Sequence, residues 1–317
     1  MASILSKARL GTDSGGRPPA AVELSSEGVL AAALPAARAR RGASKADQGF
    51  VYAFAPLAPG ALVPSLDEPD KPNLRAPEAV ASAIRSALSQ VAPRARAVTL
   101  VLPDTLVRVF VLDFDSMPAK ASEAVSVVRF RLRKMVPFDV EPAGVSYQVL
   151  AQNESECRVL AAVVPGPILA EYETAVRDAG YEPGAVNSSS LAALEAADGT
   201  GGVLAANLSA RSITTVVTSG QDLLLYRTLD LPPDPASCAA EIARAIAVAA
   251  AYFEDKLGAP ARKLYYAGIW SPGEFAAFID NAEIQVVAWS ERPEEGALTA
   301  LPQTSFAGVT GALAGAS

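Results

Sequence analysis

The sequence predicts an α/β or α+β fold that is divided into two domains. The chain has 317 residues, which is enough for two domains with a sizeable core. Residues 98–194 alternate between strand-like and helix-like segments, as in a sheet covered by helices. The tract 196–202 (AADGTGG) has the small, polar composition of a linker. We therefore expect a domain boundary close to this tract.

The first 95 residues are rich in glycine, proline and alanine. Residues 57–77 carry several prolines and are expected to form an extended surface loop. Pro77 then starts a predicted helix over 77–91, because proline is favoured in the first helical turn. The apolar residues of this helix recur on one face: Val80, Ile84, Ala87 and Val91.

Residues 98–194 contain three segments in a definite order. A predicted strand pair (AVTLVLPDTLVRVFVLDF) comes first. A predicted helix over 120–138 follows, ends in a Val-Pro-Phe turn, and leads to the strand SYQVL. Last come a strand (CRVLAAVVP), a helix and another strand. The sequence thus predicts that this region is the most regular part of the chain.

The helix over 120–135 is apolar on two sides. One stripe is formed by Val125, Val128, Leu132 and Met135, and a second patch on the opposite side by Val127 and Phe130. Four basic residues surround the patches: Arg129, Arg131, Arg133 and Lys134. Two interpretations remain open. The helix is buried between a sheet and a neighbouring subdomain, or a partner peptide docks along its outer side.

The Val-Pro-Phe turn predicts how this helix ends. Pro137 lacks a backbone N–H and therefore stops the hydrogen-bond ladder. We expect Phe138 to be buried against the sheet as the apolar residue that closes the helix.

A second long helix is predicted over 235–257. Asp234 is an N-cap residue followed by proline, and Gly258 follows the last turn. One apolar stripe runs between them: Ile242, Ile246, Ala249 and Phe253. This pattern predicts a helix that faces the core.

Composition excludes several classes of function. The chain has no histidine and two cysteines, which removes His-dependent catalysis and zinc sites rich in histidine or cysteine. Its formal net charge of −7 argues against nucleic acid as a general partner. No apolar run approaches the roughly 20 residues of a membrane span, and the N-terminus lacks a signal-peptide pattern. We therefore expect no membrane span, no metal site and no catalytic residues.

The order of segments in 98–194 resembles the inserted, SHS2-type subdomain of the PilM family. These are actin-like, FtsA-related cytoplasmic proteins of type IV pilus machines. The likeness includes Pro137-Phe138 at the end of the first helix and 179–183 (AGYEP) at the end of the second. It implies two actin-like lobes: 1–95 in the first lobe, 96–185 as the inserted subdomain, and 186–317 as the return to the first lobe and a reduced second lobe.

The resemblance also implies where ATP and magnesium would bind. Actin-like ATPases hold phosphates between two Asp-x-Gly hairpins, one in each lobe. Aligning 21–24 with the first hairpin of the family places Asp13 and Gly15 in the first phosphate loop, with Pro18 and Pro19 on the return strand. The second loop falls on Asn207 and Ser209, which lack the charge and the bare backbone of Asp-x-Gly. On the adenosine side, Gly268 is the one glycine left of a glycine-rich turn.

These degenerate motifs favour an adaptor over an enzyme, with no cofactor expected. Members of the family bind the short cytoplasmic tail of PilN and so connect an inner-membrane complex to cytoplasmic motors. The resemblance implies a peptide site at five residues: Val127, Phe130, Arg129, Arg133 and Lys134. It also implies a cytoplasmic protein held at the inner membrane by its partner. Two alternatives remain: an actin-like ATP-binding protein or ATPase, and a cytoplasmic component of type II secretion of the GspL type.

Overall fold

The computed structural model describes residues 18–34, 49–68, 71–153, 155–196, 201–220, 222–279, 283–290 and 305–314. The chain forms two compact units. The first runs to Glu195 and resumes at Gly308, and the second covers Ala196–Ala307. The boundary at Ala196 coincides with the start of the predicted linker.

The first unit contains eight strands and five helices among the described residues. In chain order its elements are β1 (Ala20–Leu24), β2 (Gly28–Ala33), β3 (Val51–Pro56), α1 (Pro77–Val91), β4 (Ala97–Leu102), β5 (Arg108–Phe114), α2 (Ala121–Leu132), β6 (Gly144–Gln152), β7 (Cys157–Val164), α3 (Gly166–Asp178), β8 (Glu182–Ser188) and α4 (Ser189–Leu194). The last helix of the chain, which belongs to this unit from Gly308 onward, is described below.

The main sheet of the first unit has the order β3-β2-β1-β4-β8. Strands β1 to β3 form antiparallel hairpins, while β1, β4 and β8 run parallel. Helix α1 packs on β2 and β3, and α3 packs on α1 and β8. The predicted apolar face of α1 is confirmed, since Val80, Ile84 and Ala87 are fully buried.

A separate three-stranded sheet in the order β5-β7-β6 lies between β4 and α3 in the chain. All its pairs are antiparallel, and α2 covers one face. Its two ends differ from the predicted subdomain 96–185. The predicted strand pair in fact divides between two sheets, because β4 pairs with β1 whereas β5 pairs with β7. Because β8 returns to β4, the three-stranded sheet spans 108–164.

Helix α2 ends earlier than predicted. It stops at Leu132, where the N–H of Met135 bonds the Leu132 carbonyl at 2.8 Å and tightens the chain into a turn. Val136 therefore takes the buried place predicted for Met135, which is 42% exposed. Phe138 is half-buried and packs against the core of α2 and the sheet. The prediction that Phe138 closes the helix is thus correct in its contact, but the helix end lies six residues upstream of it.

The second unit repeats the order of the first sheet. Its elements are β9 (Gly202–Leu208), β10 (Ser212–Ser219), β11 (Asp222–Asp230), α5 (Pro235–Leu257), β12 (Lys263–Gly268), α6 (Pro272–Ala276) and β13 (Gln285–Ala288). They form the sheet β11-β10-β9-β12-β13, with antiparallel hairpins on one side and parallel strands on the other.

Helix α5 packs on β9 and β10 through the predicted stripe, since Ile242, Ile246, Ala249 and Phe253 are buried. Its N-terminus is capped by Asp234, which accepts from the Ser237 N–H at 2.9 Å. Its C-terminus ends at Gly258, whose φ of 72° suits glycine. Among the described residues α5 is also the one helix that meets the length and composition of a membrane span.

Helix α7 (Ala307–Ala314) packs closely within the first unit. A Cβ atom at Gly308 would lie 2.5 Å from Oε2 of Glu23, and one at Gly311 would lie 1.9 Å from the Ala192 carbonyl oxygen. Both positions therefore need glycine. Thr310 of the same helix meets the Tyr52 hydroxyl, with 2.9 Å between the two oxygens.

Candidate functional site

The β1–β2 hairpin of the first unit turns through Ser25, Ser26 and Glu27. The Ser25 N–H donates to the Gly28 carbonyl at 2.9 Å, and the Ser25 hydroxyl lies 3.1 Å from the same oxygen. The Gly28 N–H reaches the Ser25 hydroxyl at 3.3 Å. The turn thus bonds its own backbone, and its Gly28 N–H already faces a serine oxygen instead of an outside ligand.

This hairpin corrects the predicted first phosphate loop. Strand β1 pairs with β2 on one edge and with β4 on the other, so it has no edge left for an earlier strand. Residues 21–24 are therefore the leading strand of the first hairpin, not its return strand. Asp13 and Gly15 lie outside the described residues. Pro18 and Pro19 precede the strand, where proline is tolerated.

A buried carboxyl pair lies behind the first hairpin. Glu23 of β1 accepts hydrogen bonds from the Ser189 hydroxyl and the Val309 N–H, and its enclosed Oε2 has no partner among the described residues. Burial and, less strongly, the nearby Asp104 raise the pKa of Glu23 to about 7. Asp104 in turn accepts from the N–H of Ser190 at 3.0 Å and from its hydroxyl.

Sequence reasoning missed this pair. The signal available was an acidic residue in the otherwise apolar strand Ala20–Leu24. An ion or phosphate has no path to the enclosed Oε2 from the side of α7, because Gly308 packs directly against that oxygen. Glu23 therefore joins α7 to β1.

The β9–β10 hairpin of the second unit has the same internal bonding. The Ser209 hydroxyl accepts from the N–H groups of Arg211 at 3.2 Å and Ser212 at 3.0 Å. The Ser209 N–H donates to the Ser212 carbonyl at 2.9 Å. Asn207 lies in β9, paired with Thr214 and Ala267. The side chain at Ser209 thus accepts hydrogen bonds from two N–H groups of its own turn.

Gly268 serves packing within the second unit. A Cβ atom there would lie 2.4 Å from the Tyr266 hydroxyl and 2.7 Å from the Leu208 carbonyl oxygen. The Tyr266 ring stacks on Phe275 at 4.0 Å, and burial raises the pKa of its hydroxyl. The Trp270 N–H donates to that hydroxyl at 3.2 Å. The lack of a side chain at Gly268 therefore allows the Tyr266 hydroxyl and the Leu208 carbonyl to lie close to the backbone.

The cavity beside Gly268 is small. It has a volume of about 180 Å³ and is lined by aromatic and small residues of β12, β13 and the segment before α7. Pockets for drug-sized ligands begin at about 300 Å³. Within the part of the chain that the structure describes, no three acidic or cysteine side chains come together to hold a metal ion.

The outer surface of α2 is the most open apolar surface of the three-stranded sheet. Val128 and Leu132 face the sheet and are fully buried. Phe130 points away from it and is 69% exposed, more than the other large apolar side chains that the structure describes. Val127 is half-buried, and Lys134 is exposed in the turn after the helix. Three of the predicted peptide-binding residues therefore lie on or beside an accessible surface.

The other two predicted residues have structural partners. The Arg129 guanidinium donates to the carbonyls of Val140, Glu141 and Ala143 and so holds the segment before β6. Arg133 pairs with the exposed carboxylate of Glu141. Arg129 is thus committed to the fold, whereas an exposed pair such as Arg133–Glu141 adds little stability and exchanges readily.

Both edges of the three-stranded sheet lack a further strand among the described residues. On β6, Val149 is 39% exposed and the register shifts between Val149 and Ala151. Such edges present backbone N–H and C=O groups that an extended peptide is able to pair with. Apolar helix surface and open sheet edge thus occur in the same subdomain.

Comparison with known proteins places this fold. No protein-family model matches the sequence, and no curated protein matches it. Among solved structures it is similar to a chain of the PilM-PilN type IV pilus biogenesis complex, with a TM-score of 0.69 at 18% identity, over 96% of this chain and 100% of that one. The chain has a PilM-like, actin-like fold.

Two further structures have lower scores. One is the cytoplasmic domain of EpsL, an inner-membrane component of the type II secretion system of Vibrio cholerae, with a TM-score of 0.49 at 13% identity over 94% of this chain and 93% of that domain. The other is a Bacteroides thetaiotaomicron protein with an actin-like ATPase fold and unknown function, with a TM-score of 0.49 at 10% identity over 87% and 94%. The PilM-like fold therefore rests on the first of the three similarities.

Proposed function

We propose that this chain is an adaptor of a type IV pilus or related envelope assembly machine. It binds the short cytoplasmic tail of a PilN-like inner-membrane protein and is held at the cytoplasmic face of the inner membrane by that partner. The observation that carries the proposal is the open surface of α2, with Phe130 69% exposed above an intact three-stranded sheet.

The chemistry of this surface suits a short, mostly apolar peptide. Phe130 and the half-buried Val127 offer an apolar contact, and aromatic side chains are enriched among residues that dominate binding energy. An extended peptide gains main-chain hydrogen bonds at a sheet edge and buries alternate side chains. Arg131 and Lys134 are exposed nearby, so acidic residues flanking the peptide would speed association.

The two hairpins support an adaptor more than an ATPase. In each, a serine hydroxyl already bonds N–H groups of the turn. Binding a phosphate at these turns would first require those bonds to break. The hairpins therefore give no specific observation in favour of the alternative, an ATP-binding protein.

The test is binding of a fluorescently labelled PilN-like tail peptide from the same organism, followed by anisotropy. The variant is Phe130→Asp, because a residue that is 69% exposed tolerates a charge without loss of folding. The matched control is Val51→Asp, which puts the same charge on an exposed apolar position of β3.

We expect Phe130→Asp to weaken binding by at least about tenfold, which corresponds to 1.4 kcal/mol, and Val51→Asp to leave it unchanged. The melting temperatures of both variants should match that of the parent chain. Equal affinity of Phe130→Asp and the parent would show that the tail binds elsewhere or does not bind.

A further inference from the structure

The outer side of α5 is apolar and largely uncovered within the second unit. Only 28% of the most apolar 18-residue window of this helix is buried. Its inner stripe faces β9 and β10, while Ala240, Ala247 and Ala251 are exposed on the other side. Alanine covers little surface by itself, so the backbone of a second helix is able to approach this side closely.

A groove runs along this side of the helix. It has a volume of about 470 Å³, and its lining is apolar apart from Arg244 and Glu254. One wall is the alanine-rich flank of α5, and the other is formed by Pro260, Ile279 and Ile284. Parallel strands are usually joined by a helix that covers the sheet. In the described part of the connection between β12 and β13, the one α-helix is the five-residue α6.

The two charged residues of the groove are placed symmetrically. Arg244 lies three residues before Ala247 and Glu254 three residues after Ala251, so the two charges are about 15 Å apart along the helix. If a second copy of α5 lies antiparallel to the first with its twofold axis level with the midpoint between Ala247 and Ala251, each Arg244 faces the Glu254 of the other copy. The same surface is then complementary to itself, as a twofold dimer requires.

We propose that two copies of this chain associate through antiparallel α5 helices seated along these grooves. Ala247 of one helix then meets Ala251 of the other, and the small side chains allow the axes to approach to about 8 Å, the short end of the range for helix pairs. Ile279 and Ile284 form the apolar wall against which the second helix packs.

The charges around the groove are consistent with this arrangement. Arg244 pairs with Glu241 in the same helix, an exposed pair that contributes little and leaves the guanidinium able to bond a second carboxylate. At the end near Pro260, Arg262 and Glu283 pair with each other at 2.7 Å. A contact of about one helix face lies at the small end of specific interfaces, so the dimer is weak and depends on concentration.

Sedimentation velocity over a range of concentrations, up to millimolar protein, measures this dimer. The variants are Arg244→Glu, Glu254→Arg and the double exchange of both. The matched control is Arg227→Glu, an exposed residue of β11 on the opposite edge of the same sheet. Each single change places like charges across the twofold axis, and the double exchange restores opposite charges.

We expect each single reversal to raise the dimer dissociation constant by about tenfold or more, because like charges across an interface cost more than an opposite pair gains. The double exchange should return it close to that of the parent, and the control should not change it. A monomer at every concentration overturns the proposal, and so does a dimer that the single reversals leave unchanged.

Ala247→Trp provides a second, uncharged test. The residue is exposed, so the monomer accommodates a larger side chain, whereas the dimer cannot keep its close axial distance. Loss of the dimer with an unchanged melting temperature supports the α5 interface. An unaffected dimer contradicts it.

Discussion

The two five-stranded sheets and the three-stranded sheet differ in where their hydrogen-bonding groups are used. In both large sheets, the hairpin at the centre turns through a serine that bonds the backbone of its own turn. In the small sheet both edge strands lack a neighbour among the described residues, and the helix above it exposes an aromatic ring. The hairpin turns of the large sheets thus make hydrogen bonds within themselves. The edge strands of the small sheet, by contrast, have no neighbouring strand among the described residues.

This difference bears directly on the proposed function. An actin-like sheet binds phosphate only if its hairpins leave backbone N–H groups bare. In both hairpins of this chain a serine hydroxyl accepts from N–H groups of its own turn. Under the proposed function, the three-stranded sheet needs no such groups, because an extended peptide pairs with a sheet edge and packs on apolar surface.

The two faces of α2 should respond very differently to truncation. Leu132→Ala removes a fully buried side chain between α2 and the three-stranded sheet, and we expect a loss of about 2–5 kcal/mol in the free energy of unfolding. Phe130→Ala on the outer face should change it by less than about 0.5 kcal/mol. Urea unfolding of both variants measures the contrast, and equal losses would mean that the outer face is buried as well.

The buried carboxyl of Glu23 should make stability depend on pH. Its pKa is raised from 4.5 to about 7, so folding favours the protonated form. The contribution of Glu23 to the free energy of unfolding is fully present below pH 4.5. It is lost as the pH rises through about 7. Because part of the side chain reaches the surface, we expect the loss to be on the order of 2 kcal/mol.

Glu23→Gln keeps the shape of the side chain and removes the titration. Unfolding free energies of parent and variant, measured from pH 5 to pH 8, should converge at the acidic end and separate at the basic end, with the variant more stable. If both proteins showed the same pH profile, the raised pKa of a buried Glu23 carboxyl would be refuted.

A substitution at Arg133 tests how the charged residues around Phe130 contribute to peptide binding. Arg133→Ala removes the exposed pair with Glu141 and one positive charge beside Phe130. We expect tail binding to weaken by less than about tenfold and its salt dependence to flatten, because exposed charges act mainly on association rate. Titrations at low and high salt measure both effects. A large loss of affinity that salt does not alter would place Arg133 at the centre of the interface.

Magnesium-ATP should give the smallest effect, no rise in melting temperature. A ligand at a hundredfold excess over its dissociation constant stabilises the native state by about 2.7 kcal/mol. Thermal unfolding in millimolar magnesium-ATP, compared with the same concentration of magnesium alone, measures this. A clear rise that Ser209→Ala changes would mean that the second hairpin binds phosphate after all.

Elements with a strong local pattern were predictable from the sequence. The cap residues and the apolar stripe of α5 all lie within one continuous segment of the sequence. Both Asp234 and Gly258 act as predicted. Helix α1 is confirmed for the same reason. Local capping and periodicity need no knowledge of distant contacts.

Features that depend on distant pairing were not predictable. The run 97–114 reads as two consecutive strands, and nothing local says that β4 pairs with β1 while β5 pairs with β7. The first hairpin was misplaced because an Asp-Ser-Gly sequence upstream resembles a phosphate loop. Which strand occupies each edge of β1 is a property of the whole sheet.

The exposed apolar surface of α2 was predictable in part, and peptide binding there stays a prediction. The position of Phe130 outside the helix core follows from helical periodicity. The role of Arg129 does not, because its partners are three carbonyls that lie 11 to 14 residues further along the chain. A basic residue near an apolar patch looks the same in sequence whether it faces a ligand or holds a loop.

Hydrogen exchange with and without the tail peptide tests the central claim most directly. The proposed function predicts slower exchange on binding in α2 and at an edge strand of the three-stranded sheet, with no change in the turns at 25–28 and 209–212. Magnesium-ATP in place of the peptide should leave all of these segments unchanged. Protection that appears at the two hairpin turns and not at α2 would contradict the assignment of binding to the inserted subdomain.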